Sequence, residues 1–371
     1  MTPPRPESTA VIAARRAGLT RRDLHTGWTV RATAGPVPSH ILNETIPAEV
    51  PGVVHLDLLR AALIPDPYVD DNEALLNWIG QTDWTYQTTF TVDADHLAPG
   101  QRHELIFDGL DTVASISFDG EPLGEVANQH RTYRFDVTDR LAAGEHTLTV
   151  AFRSPVKYAN AQSLLLGARP RPYPDPYEAI RKSACSFGWD WGIATATSGI
   201  WRAVRLETWS MARLSEVRVQ AAPDAAGNGG TVTAEVEVEH ARDAPSPLEL
   251  IIEVAGVEAR VVVDPGASRA TATVKLPAVE LWWPAGHGDQ PLYAATITLA
   301  VPGEHEGIGE PLDSATRRVG FRTLEWDTAK DEHGTRSSSS STAGRSLSKA
   351  STGSLTTHSS REWTAAATFA A

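Results

Sequence analysis

The chain has little of what would place it in several large functional classes. Its single cysteine, Cys185, stands alone in 371 residues. Neither an intramolecular disulfide nor a multi-cysteine metal site can form, and a reducing compartment suits such a protein. No apolar run approaches the length of a membrane span. The amino-terminal segment carries arginines at positions 5, 15, 16, 21 and 22 but no apolar stretch of signal-peptide length, so a cytoplasmic location is expected. Positive charge is in deficit, with 33 Lys and Arg against 46 Asp and Glu. The net charge of −13 argues against nucleic acid and anionic membrane as partners and suits a neutral ligand. His287 and His333 have no neighbours at metal-ligand spacing, and no glycine loop matches a phosphate cradle. No metal and no other cofactor is expected.

What the chain does have is strand periodicity. The hydrophobic fraction of 41% is ordinary, and the length allows two or three domains with cores of their own. Short β-branched and aromatic segments at Tyr86–Val92, Glu104–Phe107, Val113–Phe118, Tyr133–Val137 and His146–Phe152 are separated by turn signals such as Asp119-Gly120. They predict an antiparallel sandwich. Val53–Ala62 is the clearest helix, because Val54, Leu58 and Leu59 fall at helical spacing behind Pro51-Gly52. A second alternating series, from Leu214 to Arg322, holds seven short strands and predicts an immunoglobulin-like sandwich, with the boundary near Trp209 to Ser215.

The densest chemistry lies in Phe187-Gly188-Trp189-Asp190-Trp191-Gly192. A carboxylate accepts hydrogen bonds from sugar hydroxyls, and an indole covers the apolar face of a pyranose while sealing the carboxylate from water. The competing reading is core packing, since Trp is bulky and Trp189 and Trp191 would share one face of a strand. Arg181 and Lys182 before the cluster, and Thr197 to Arg202 after it, crowd the loop with side chains that connecting segments usually lack. Cys185 reads as a packing residue rather than a nucleophile.

The run Arg181 to Glu207 resembles a loop and strand of the β-mannosidases of glycoside hydrolase family 2. Further blocks agree in order: Val50 to Leu59, Ile64 to Tyr68 with Asn72-Glu73 and Trp78 to Gly80, Asp83 to Tyr86, and Leu281 to Pro284 with Gly286 to Gly288 and Gln290 to Tyr293. Together they span roughly residues 22 to 335. One departure is Ile193, where the family has proline. The resemblance implies an all-β chain, with a galactose-binding-like jelly-roll sandwich followed by an immunoglobulin-like sandwich. It also implies a mannose subsite lined by Trp189, Asp190 and Trp191, with Asp190 accepting sugar hydroxyls and a β-mannosyl oligosaccharide as partner. The family's two catalytic glutamates sit on a (β/α)8 barrel that follows the sandwiches, about 5 to 5.5 Å apart for a retaining mechanism. That barrel is missing from this chain, and no catalytic residue is assigned. Asn43-Glu44 and Asn72-Glu73 lie in the wrong context and read as surface or structural residues.

From Arg336 the composition turns Ser-, Thr- and Ala-rich. Moving the reading frame back one nucleotide turns TCN serine codons into codons for Val, Leu, Ile or Phe. With codons chosen freely at the degenerate third positions, residues 351–357 then read VNWIPDD, which resembles the family's entry into the barrel. The expected organisation is a disordered extension over residues 1–21, the jelly-roll over 22–210, the second sandwich over 211–325, and a linker over 326–335. A disordered, frameshifted tail over 336–371 completes it. Val319, Phe321 and the Trp282-Trp283 loop are the candidates for apolar surface exposed where the barrel would dock, with core burial of either Trp carrying at least equal weight. The function expected is that of a fragment of an exo-β-mannosidase, acting on terminal non-reducing β-D-mannose only with the barrel present. A free-standing carbohydrate-binding module and a purely structural module are the alternatives.

Overall fold

The computed structural model describes residues 18–346 other than 168, 226–227, 242–245, 304–307, 328–329, 333, 336–337 and 342–343. Residues 1–17 of the expected extension and the tail beyond 346 lie outside the described residues. The chain is all-β in two compact units, the second beginning at Trp209 and also taking in the short segment 98–102 and the residues up to Thr20.

The first unit is a jelly-roll sandwich. One sheet has six strands in the order β3 (Thr45–Pro47), β2 (Thr29–Ala34), β4 (Asp83–Val92), β9 (Gly144–Phe152), β6 (Val113–Phe118) and β7 (Glu121–Ala127). The other has four: β1 (Thr20–Asp23), β10 (Val204–Trp209), β5 (Arg102–Phe107) and β8 (Tyr133–Asp136). Alternation along β4 buries Trp84, Tyr86, Thr88, Phe90 and Val92 on one face. The β4–β9 register then sets Trp84 opposite Phe152 and Tyr86 opposite Val150, so one period-2 pattern fixes both partners. The β6–β7 hairpin turns on Asp119 and Gly120, whose φ of 52° and 82° give the left-handed pair that a two-residue turn requires. Strand β1 starts at Thr20, so the expected extension ends two residues early, where the backbone of Thr20 and Arg21 joins the sheet beside β10.

Helix α1 (Val54–Arg60) buries Val54 and Leu58, one turn apart, as its spacing predicts. It also carries Asp57 into the interior. There the carboxylate accepts from Glu49 N (3.0 Å), Arg60 Nη1 (3.1 Å) and the Tyr86 hydroxyl (2.9 Å). Burial pushes its pKa up to about 7 against the lowering pulls of Tyr86 and Arg60. Helix α2 (Asn72–Leu76) is short. Helix α3 (Pro155–Leu166) follows β9; its Ser154 cap accepts from Lys157 N at 3.0 Å, and Pro155 occupies the first turn.

The second unit pairs a three-stranded sheet, β11 (Ala212–Pro223), β12 (Gly230–His240) and β15 (Arg269–Leu276), with a four-stranded one. The latter runs β14 (Val257–Val263), β13 (Leu248–Val254), β16 (Tyr293–Pro302) and β17 (Ile308–Val319). This is the expected seven-strand immunoglobulin-like arrangement. Val319 and Phe321, candidates for apolar surface facing a barrel, are instead buried in this core, where Phe321 meets Tyr293 edge-on at 5.2 Å. Trp282 and Trp283 are half-buried. Strand β17 ends pointing into the sandwich, which the alternating pattern allowed and the exposed reading ignored.

Beyond it the chain differs from the expected linker and tail. Ser338–Ser341 pairs antiparallel with Leu324–Asp327 and with Gly344–Ser346, and Lys330–Asp331 pairs with Gly334–Thr335. Composition misled here because a ladder needs only backbone N–H and C=O groups, which serine supplies as well as valine does. The described residues form no (β/α)8 barrel.

Candidate functional site

The loop from Arg181 to Trp201 is held at both feet. At the first, Gln129 N donates to Arg181 O (2.9 Å) and Ser183 N to Gln129 Oε1 (2.7 Å). At the second, Asp111 and Gly199 exchange backbone bonds of 2.9 and 3.0 Å, Val54 N reaches Ser198 O at 2.9 Å, and the Trp201 indole donates to Gln129 O at 3.1 Å. A buried ion pair ties the feet together. Lys182 Nζ lies 2.5 Å from both carboxylate oxygens of Asp111 and 2.8 Å from Thr197 Oγ1, and both charged side chains are fully enclosed. The hydroxyls of Thr112 and Thr197 donate to the same carboxylate at 2.5 and 2.6 Å. Burial lowers the Lys182 pKa and the Asp111 charge raises it.

Between these feet, the turn Ala184–Phe187 seats Phe187 in a small cluster with Val113, Ala159 and Ile180. Gly188 then adopts φ 92°, where a side chain would also press on Ala194 Cβ at 3.2 Å. The chain next forms a miniature hairpin. Trp189 N donates to Gly192 O (3.0 Å) and Gly192 N to Trp189 O (3.1 Å), leaving Asp190 and Trp191 at the tip. Ile193 takes no part in these closing bonds, so the hairpin forms without the family's proline. The two indoles meet edge-on at 5.8 Å, and Tyr173 lies 5.4 Å from Trp189.

The three residues named from the sequence are therefore adjacent but not equivalent. Trp189 is 41% exposed and turns one side to a cavity; Trp191 is 60% exposed, and Asp190 is exposed beside it. Neither indole is core. Among the described residues of this unit, none seals the Asp190 side chain from water.

Other residues build the surroundings. Glu73 Oε1 accepts from Ala194 N at 2.7 Å and so pins the return limb of the hairpin, a structural role as expected. Asn43 and Glu44 are exposed, as is His287, while His333 lies outside the described residues. Cys185, expected to pack, lies at the surface, and desolvation pushes its thiol pKa up, keeping it uncharged. Among the described residues no group of three or more His, Cys, Asp or Glu could hold a metal, and no helix is long and apolar enough to cross a membrane. Lys182 was visible as a neighbour of the cluster. Asp111, 71 residues away in sequence, carried no local signal.

Comparison with known proteins fits this geometry. The glycosyl hydrolase 2 galactose-binding domain-like model matches residues 28–202, and the glycosyl hydrolases family 2 model matches residues 212–322. The chain belongs to glycoside hydrolase family 2. The β-mannosidase of Mus musculus is 33% identical over 296 residues, covering 76% of this chain and 33% of that protein. β-Mannosidase B of Aspergillus terreus is 31% identical over 333 residues, covering 86% of this chain and 37% of that protein. The crystal structure of a β-D-mannosidase from Dictyoglomus thermophilum matches with a TM-score of 0.77 at 30% identity, over 88% of this chain and 39% of that one. An exo-chitosanase of Amycolatopsis orientalis, at 19% identity and a TM-score of 0.63, shares the fold. The chain spans about a third of the length of the curated relatives it matches.

Proposed function

We propose that this chain is the sugar-contacting portion of a cytoplasmic exo-β-mannosidase, with the Trp189–Asp190–Trp191 hairpin forming one wall of the mannose subsite. The exposed tip carries the reading. Two exposed indoles flanking a carboxylate, on a hairpin within a loop whose feet are tied by a buried ion pair, are costly to present to water alone. A second surface closing over it would dry the carboxylate and strengthen its bonds to sugar hydroxyls. The names of the relatives point to β-mannosides as substrates. Retaining hydrolysis needs a nucleophilic carboxylate and a second carboxyl that protonates the leaving oxygen. We assign both to a barrel encoded beyond a frameshift near Arg336, so the chain alone binds and positions but does not cleave.

The test has two arms. The purified chain is assayed on an aryl β-mannoside, where no turnover above background is expected, and the DNA downstream of Arg336 is read in all frames for a barrel. Turnover on the order of 1 per second or faster, surviving rigorous purification, would refute the division of labour. Saturable mannose binding with no barrel-coding DNA would leave a binding module instead.

A further inference from the structure

The Asn72-Glu73 pair, expected to be structural, supplies the polar attachment of the hairpin. Among the described residues, 189–196 make one hydrogen bond to a partner outside that segment: Ala194 N donates to Glu73 Oε1 at 2.7 Å. The segment's other bonds are the two between Trp189 and Gly192 that close the turn. A carboxylate acceptor makes such a bond shorter and stronger than a neutral acceptor does.

The acceptor is firmly mounted. Helix α2 carries Leu76 into the core of the first sandwich, and Asn72 Nδ2 donates to Asp66 O at 2.8 Å. Asn77 and Trp78 keep right-handed helical backbone and lead into the turn Ile79–Gln81, so Glu73 and Gly80 stand about two turns apart on one helical run. Gly80 is the second point of attachment. A Cβ there would lie 2.7 Å from Ala196 Cβ and 3.1 Å from Ala196 O, so the return limb seats against this position because it is glycine. The Ser154 hydroxyl donates to Gly80 O at 2.8 Å and fixes that backbone in turn. One helical run therefore takes Ala194 by a hydrogen bond and Ala196 by close contact.

The outgoing limb depends on the return limb. Gly188 lies against Ala194, where an added Cβ would meet Ala194 Cβ at 3.2 Å, and Trp189 and Gly192 are bonded to each other. Ala194 stands four residues from Asp190, at most about 14 Å of chain. A hairpin this short, closed by two bonds, carries a shift of Ala194 to its tip rather than absorbing it. The Phe187 cluster and the Lys182–Asp111 pair hold the base of the loop, not its tip.

We propose that Glu73 is a positioning residue for Asp190: by holding Ala194 it sets where the tip stands, and with it the carboxylate offered to the sugar. The proposal rests on the reading of the tip as the sugar contact and assigns Glu73 no contact with the sugar.

In the purified chain, amide exchange across residues 186–197 is followed by mass spectrometry, with urea unfolding recorded on the same samples. Glu73→Ala, which removes the acceptor, should speed exchange at Gly192 and Ala194 about tenfold or more while leaving exchange in β4 and the urea midpoint unchanged. Glu73→Leu, which keeps bulk without an acceptor, should behave alike and decides if the alanine variant does not fold. Glu73→Gln, which keeps an acceptor oxygen, should restore most of the protection. Unchanged exchange without the acceptor, or no rescue by glutamine, would overturn the proposal. So would a fallen midpoint with faster exchange throughout the unit in both Glu73→Ala and Glu73→Leu, because Glu73 would then serve the fold as a whole. Binding of methyl β-D-mannoside is read on the same samples by ligand-observed NMR. Weakening of about tenfold in Glu73→Ala and in Asp190→Ala is expected, with recovery in Glu73→Gln. Weakening in Asp190→Ala alone would overturn the proposal. Binding that is absent from the native chain, or that survives Asp190→Ala, would refute the reading of the tip instead, and the exchange result would then decide by itself whether Glu73 holds the hairpin.

Discussion

Replacing Lys182 by methionine keeps the length of the side chain and removes its charge from the centre of the clamp. In the native protein the ammonium sits 2.5 Å from each Asp111 oxygen with no exposure of either side chain. After substitution the carboxylate stays buried, with the Thr112 and Thr197 hydroxyls among its remaining donors. Two hydroxyls do not neutralise a buried negative charge. Breaking such a pair from one side costs about 3–5 kcal/mol, far more than the roughly 0–1 kcal/mol of a surface pair. With a urea dependence of roughly 1–3 kcal/mol per molar, the midpoint should fall by about 1 M or more. Urea unfolding followed by tryptophan fluorescence reads this, and amide exchange at Trp189 and Gly192 should speed up as the feet of the loop loosen. Lys182→Met combined with Asp111→Asn should recover part of the loss, because the stranded charge is gone. A single variant within about 1 kcal/mol of wild type would refute the clamp. A double variant as unstable as the single one would assign the loss to packing.

Asp57 and His55 make a pH prediction. Folded Asp57 keeps its proton up to about 7 rather than 3.8, so its contribution is lost as pH rises through that window. Folded His55 gives up its proton near 3 rather than 6.5, so its contribution is lost as pH falls from 6.5 towards 3. The two slopes oppose between about pH 4 and 6.5; in Asp57→Asn, stability relative to wild type should rise by about 1.4 kcal/mol per pH unit there, and parallel urea profiles would contradict this. Gly188→Ala should cost about 1–3 kcal/mol, because φ 92° with ψ 164° is a region nearly confined to glycine; an unchanged thermal midpoint would show that the turn relaxes.

The strands were legible wherever burial alternated. Val113–Phe118 is legible to the residue, and the seven strands of the second sandwich are legible in number. Backbone-driven structure was not legible, as Ser338–Ser341 shows: a ladder of serines has no hydrophobic period to detect. The hairpin's composition pointed to Trp189, Asp190 and Trp191, yet sequence could not tell which indole turns inward, since that depends on the two bonds closing the turn. The clamp was hidden for another reason: Asp111 reaches Lys182 only through the fold of the sandwich, and a pair 71 residues apart leaves no spacing to read.

The most direct test of the mannose-subsite reading is kcat/KM for an aryl β-mannoside in a frame-corrected, barrel-containing protein, compared between Asp190 and Asp190→Ala. Loss of a buried charged acceptor should lower kcat/KM by the equivalent of roughly 2–4 kcal/mol, or about 30- to 1,000-fold, with the fold intact. Near-wild-type kinetics in the folded variant would mean that the hairpin only packs, and that the sugar is held elsewhere.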